Sequence, residues 1–138
     1  MKLSTINSVA GILSGIKINK IADKKVKTTL INDYLHLRRF VKDADEERKE
    51  LVEKFQNDWK EELSSVDALR RENKPVVGHD KYLEAEKDTN KAISDIFDRD
   101  VETSLKAVPM EDFFAALKED ELNLEQIALL QEGGIIDE

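Results

Sequence analysis

From Asp23 to Leu63 the chain contains no proline and no glycine, and no other stretch restricts the fold as much. Within it Leu30, Leu37, Ala44 and Leu51 recur every seven residues. Tyr34, Val41, Arg48 and Phe55 do the same four residues later. Both series fall on one stripe of an α-helix. The spacing therefore predicts a single helix over about 23–63, about 60 Å long at 1.5 Å per residue. Its charged faces carry pairs such as Asp45→Lys49 and Glu50→Lys54, each worth a few tenths of a kcal/mol. The first half also carries Val26, Ile31, Leu35 and Phe40, which widens its apolar face, while the second half narrows to a seam ending near Trp59. A wide face needs several covering elements, and a narrow seam needs one partner helix.

That partner is predicted over about 80–98. Asp80 is placed to cap it, and Tyr82, Ala85, Thr89, Ala92, Ile93, Ile96 and Phe97 share a stripe that fits antiparallel against the seam. Between the two, residues 64–79 read as a connection punctuated by Lys74-Pro75 and Gly78, with room for a short helix over Val66–Arg70. At the start of the chain Ser4 reads as an N-cap and Ile6, Val9, Ala10 and Leu13 as a helix face, with Gly15 ending it in the left-handed conformation. Residues 16–21 alternate, as do residues 101–107. The pattern predicts two short extended segments that pair with each other. After Pro109 a helix is expected over Met110–Lys118, with Phe113, Phe114 and Leu117 on its apolar side. Asn123 and Gln126 form a capping-box pair opening a last helix through Leu130 that carries Leu124, Ile127 and Leu130. Gly133-Gly134 ends it, and Ile135-Ile136 is placed to tuck back. The expected fold class is mainly α (α+β), a single domain over 1–138. It is a long antiparallel helical hairpin with a short N-terminal helix, a small two-stranded β element and short C-terminal helices over 110–131.

Composition narrows the function. The 138 residues include no cysteine, which excludes disulfide frameworks and thiolate metal sites. No apolar run approaches the roughly 20 residues that span a bilayer, and the interrupted N-terminus is unlike a secretion signal. A cytoplasmic protein is expected, with no membrane association. The net charge of −8 is unevenly spread: residues 1–42 hold nine Lys/Arg and two acids, whereas acids dominate the remainder. Three readings of this imbalance stand side by side. The two regions neutralise each other in the fold, or the basic region meets an acidic partner or nucleic acid, or the acidic region imitates nucleic acid.

Phosphate loops, dinucleotide fingerprints and nucleophile elbows do not occur, so neither an enzyme nor a cofactor is expected. The two histidines, His36 and His79, are far apart in sequence and read as ordinary surface or helix-flanking residues. Asp95, Asp98, Asp100 and Glu102 cluster at the end of the partner helix. They offer oxygen ligands for Mg²⁺ or Ca²⁺ but lack the glycine turn of a calcium loop, and they read better as a solvated acidic patch. The basic concentration is Lys17, Lys20, Lys24, Lys25, Lys27, Arg38, Arg39 and Lys42. Of these, Lys24, Lys25, Lys27, Arg38 and Arg39 are the candidate partner-binding residues, together with the sole tryptophan, Trp59. That side chain reads either as a cap on the hairpin core or as an anchor for a partner.

Taken in order, "MKLSTINSVAGILSGIKINKIADKKV", "DADEERKELVEKF", "NKPVV", "YLEAEKDTNKAISDIFDRDVETSL" and "MEDFFAALKEDELNLEQIALL" resemble a family of small uncharacterised proteins of tailed bacteriophages and prophages. Ser64-Ser65 and the charged stretch before the turn depart from that pattern. The resemblance implies a phage or prophage origin and a bacterial cytoplasm, and it carries no activity and no functional residues with it. The expected function is non-enzymatic protein–protein binding, as an assembly or minor structural factor whose partner is a phage or host protein, with homo-oligomerisation allowed. The alternatives are an acidic inhibitor that mimics nucleic acid on a host enzyme and, less favoured, a weak nucleic-acid binder using the basic N-terminal third.

Overall fold

A computed structural model describes residues 1–117 and 122–138. The chain is mainly helical with a small β element, as the sequence predicts. It forms two compact units, one from residues 1–43 and 98–138, the other from residues 44–97.

In the first unit α1 (Leu3–Gly15) buries Leu3, Ile6, Val9, Ala10 and Leu13, the predicted face. Ser4 does not cap it. The helix starts after Lys2 without a side-chain cap, with the Leu3 N–H donating to the Arg99 carbonyl (3.0 Å) and the Ile6 N–H, which a Ser4 cap would serve, donating to the Lys2 carbonyl (3.1 Å). Gly15 does not adopt positive φ either; the chain simply becomes extended at Ile16. Residues 16–21 form no strand. Ile16, Ile18 and Ile21 are all buried, and the N–H groups of Ile18, Lys20 and Ile21 bond to carbonyls two or three residues back. The result is a 3₁₀ turn over Ile18–Lys20, which takes up donors that a ladder would need. Helix α2 (Lys24–Asp58) opens where expected. Asp23 Oδ1 accepts from the N–H of Lys25 (2.9 Å) and Val26 (3.2 Å), two of the donors that every helix start leaves orphaned.

Residues 101–107 do alternate: Val101, Thr103 and Leu105 are half-buried, while Glu102, Ser104 and Lys106 are exposed. Their partner, however, is a helix. Ser104 N–H donates to His36 Nε2 (3.2 Å) and Lys106 N–H to Asp33 Oδ1 (3.0 Å), and both acceptors lie on α2. Alternation reports an extended backbone with one covered face; it does not say what accepts the hydrogen bonds. The two-stranded element lies elsewhere, with β1 (Val108–Pro109) parallel to β2 (Ile136–Asp137). Ile135 and Ile136 do tuck back and are buried.

Helix α5 (Met110–Ala116) buries Phe113 but leaves Phe114 exposed. It ends two residues before the predicted Lys118, which lies outside the described residues. Helix α6 (Leu124–Glu132) carries the predicted capping box. Gln126 N–H donates to Asn123 Oδ1 (2.8 Å) and Asn123 N–H to Gln126 Oε1 (2.9 Å). Leu124 is not inward; it is 84% exposed. The helix closes in a Schellman motif: Ile135 N–H bonds to Leu130 O (2.9 Å) and Gly134 N–H to Gln131 O (3.1 Å), with Gly134 at φ +78°.

In the second unit α2 continues from Ala44 and stops at Asp58, short of the predicted residue 63. Trp59 breaks it at φ −122°, ψ 26°. Helix α3 (Lys60–Arg71) then occupies much of the stretch predicted as a connection. Asn57 and Asp58 are poor helix formers. The acids Glu61 and Glu62 in the first turn of α3 and the cations Arg70 and Arg71 in its last favour a fresh start by complementing the helix dipole. Helix α4 (Asp80–Phe97) matches its predicted range closely, and Tyr82 and Ile96 on its stripe are buried. The narrow seam thus meets two helices rather than one. Val52 and Phe55 of α2, Leu63 of α3, and Tyr82 and Ile93 of α4 line one cleft of about 210 Å³.

Candidate functional site

Inward residues of α2 in the first unit include Val26, Leu30 and Leu37. On the opposite side Lys24, Thr28, Ile31, Leu35, Arg38 and Lys42 follow at alternating steps of four and three, which makes a continuous stripe. All are exposed except half-buried Ile31, and Lys25, Asn32 and Arg39 run beside them, also exposed. Lys27, on the other flank, is half-buried. The stripe is about 27 Å long. Five of its predicted partner-binding residues, Lys24, Lys25, Lys27, Arg38 and Arg39, are thereby brought to one side of one helix.

Leu35 belongs to this face and not to the core: it is 47% exposed. The sequence reading grouped it with the apolar side, yet the signal was present. Leu35 stands two residues before Leu37 and five after Leu30, steps that turn a side chain away from both.

Two properties set the face apart. Between Lys24 and Lys42 the only acid on α2 is Asp33, which is buried and turned to the other side. Among the described residues none of Lys24, Lys25, Lys27, Arg38, Arg39 and Lys42 takes part in an ion pair. In addition, α3, α4, α5 and α6 each place an acid in the first turn, where the helix dipole rewards negative charge. α2 has none within its first turn, where it holds three lysines, and its one acid at this end is the capping Asp23. Each misplaced cation costs about 0.3–1 kcal/mol.

Behind the face, Asp33 is 4% exposed. Its Oδ1 accepts from Lys106 N–H, and its Oδ2 is buried without a hydrogen-bond partner. Burial pushes its pKa above the ordinary value, opposed chiefly by the Lys106 N–H bond and also by the nearby Lys106 charge. A carboxyl whose pKa is raised by folding is more comfortable protonated in the folded chain. Its ionisation therefore removes stability as pH rises through the folded pKa, and this penalty is absent below the unfolded value. Asp33→Asn keeps an acceptor for Lys106 and cannot ionise. It is expected to equal or exceed the native chain in thermal stability at pH 7, with the gap closing toward pH 4. Asp33→Ala loses the acceptor and is expected to cost about 1–2 kcal/mol. Thermal melts of the three chains across pH check both statements.

The remaining sequence candidate, Trp59, sits at the break between α2 and α3. It is half-buried with its ring edge-on to Tyr82 at 6.0 Å, while Phe55 flanks the same tyrosine at 5.2 Å. Nearby, Arg70 grips Glu86 through two hydrogen bonds of 2.9 and 2.7 Å, and this contact holds the Glu86 carboxyl below its ordinary pKa. His79 Nδ1 lies 3.1 Å from Glu62 Oε2. Neither Tyr82 nor the Arg70–Glu86 pair could be singled out from sequence, because their association depends on α3.

No family model matches the chain, nor does any curated protein or solved structure. Among the described residues no group of three or more His, Asp or Glu is placed to hold a metal ion, so Asp95, Asp98, Asp100 and Glu102 are not gathered into one. Asp100 pairs through its backbone with Lys2 in an isolated bridge. Among the described residues no helix is long and apolar enough to cross a membrane.

Proposed function

We propose that this chain is a non-enzymatic protein of a phage or prophage that works in the bacterial cytoplasm by binding another protein, as an assembly or minor structural factor. The exposed stripe of α2 from Lys24 to Lys42 carries this reading. It joins unpaired cations to a half-exposed leucine on a regular helix, a rigid surface of the kind that docking uses. The origin rests on the resemblance described above.

A photo-crosslinking amino acid at Leu35, in the chain expressed in its host, is expected to give discrete adducts with one protein. A crosslinker at exposed Glu84 of α4 is expected not to give them. If the Leu35 chain yields only the adducts seen at position 84, the protein-binding reading fails.

A further inference from the structure

Along this face of α2 the cations outnumber the acids, and among the described residues none of these cations is in an ion pair. A first turn bearing Lys24, Lys25 and Lys27 opposes the helix dipole, and the single Asp23 carboxylate at the cap counters it only in part, whereas α3 in the same chain has acids first and cations last. Six cations that form no ion pair among the described residues remain available to a partner, and what they attract is negative charge. The half-exposed Leu35 in the middle of the stripe adds a second requirement, an apolar contact that a phosphate backbone does not supply.

We infer that the α2 face docks an acidic, amphipathic helix of a protein partner. The inference rests on the protein-binding reading and names the chemistry of the partner. A partner helix of about 18 residues spans the 27 Å stripe, with an apolar side chain on Leu35 and carboxylates toward Lys24, Lys25, Arg38 and Arg39. Nucleic acid fits less well. The chain's net charge of −8 opposes a long polyanion at a distance, and a partner helix with sparse carboxylates meets less of that repulsion.

The test uses three probes on the full chain: a labelled 18-residue helical peptide with glutamates and leucines at helical spacing, an oligoglutamate of equal charge, and a 20-base-pair DNA duplex. The Glu/Leu peptide is expected to bind best, with affinity falling about tenfold between 50 and 200 mM salt. Arg38→Gln/Arg39→Gln, in mid-helix, is expected to weaken it at least tenfold without moving the melting temperature. Lys24→Glu/Lys25→Glu is expected to weaken it at least tenfold while raising the melting temperature by about 3 °C or more. This opposite movement of affinity and stability is what a merely structural role does not produce. Equal or tighter binding of oligoglutamate or duplex DNA overturns the inference, as does peptide binding indifferent to both double variants. If Leu35 still crosslinks to one protein in those cases, the protein-binding reading survives and only the partner chemistry is wrong.

Discussion

Tyr82→Ala is expected to unfold the 44–97 unit at a temperature where the native chain is intact. The Tyr82 side chain is completely buried and stands between Phe55 and Trp59, so the ring ties the start of α4 to the end of α2. Removing a buried aromatic ring costs about 3–5 kcal/mol. The unit is small, and small units bury too little surface to absorb such a loss. Tyr82→Phe separates the ring from its hydroxyl. That hydroxyl is buried and makes no well-formed hydrogen bond, although Glu86 approaches closely enough to join burial in raising its pKa. Deleting a poorly satisfied buried hydroxyl is nearly neutral or stabilising. Urea unfolding of the two variants is expected to place Phe within about 1 kcal/mol of the native chain and Ala far below it. A large loss for Phe would mean that the hydroxyl carries a real bond, to Glu86 or to water.

Gly133→Ala is expected to cost about 1–3 kcal/mol, the range for overpacking. A Cβ at this position would lie 2.8 Å from Val9 Cγ2 and 3.1 Å from the Leu129 carbonyl oxygen. Val9 is fully buried in α1, and its branched side chain has little freedom to yield. The obstacle is thus contact between α1 and α6 and not backbone conformation, since Gly133 has ordinary helical φ of −76°. The double variant Val9→Ala/Gly133→Ala is expected to recover part of the loss. A thermal-melt cycle with no coupling between the two sites would show that the glycine matters for another reason.

Much of this architecture was legible in the sequence, for identifiable reasons. Long-period apolar spacing marked α2, and the stripe from Tyr82 to Phe97 marked α4 because a helix repeats its inward face without outside help. The Asn123–Gln126 box was legible because capping is local chemistry. The failures share a cause: the deciding contact was distant in sequence. Ser4 looked like a cap, but the helix starts ahead of it, where the Leu3 N–H donates to the Arg99 carbonyl. Residues 101–107 looked like a strand in search of a strand, yet Asp33 and His36 received their hydrogen bonds. α3 was read as mostly connection because its stripe is short and its partner, Tyr82, lies beyond the turn. Half of the candidate surface was visible as a basic concentration. Its apolar member, Leu35, was assigned to the wrong side through reading composition where angle was needed. Asp33 was equally readable, since it falls three after Leu30 and four before Leu37, on the inward stripe itself.

The division of the chain has a consequence for its birth on the ribosome. Residues 44–97 are contiguous and can close as soon as they emerge. The other unit is sewn from residues 1–43 and 98–138, so its earlier half must wait through the synthesis of everything between. During that interval Asp33 and His36 lack the Lys106 and Ser104 N–H groups that later donate to them. Nascent chains of this protein therefore pass through a stage in which the part made first is the part finished last.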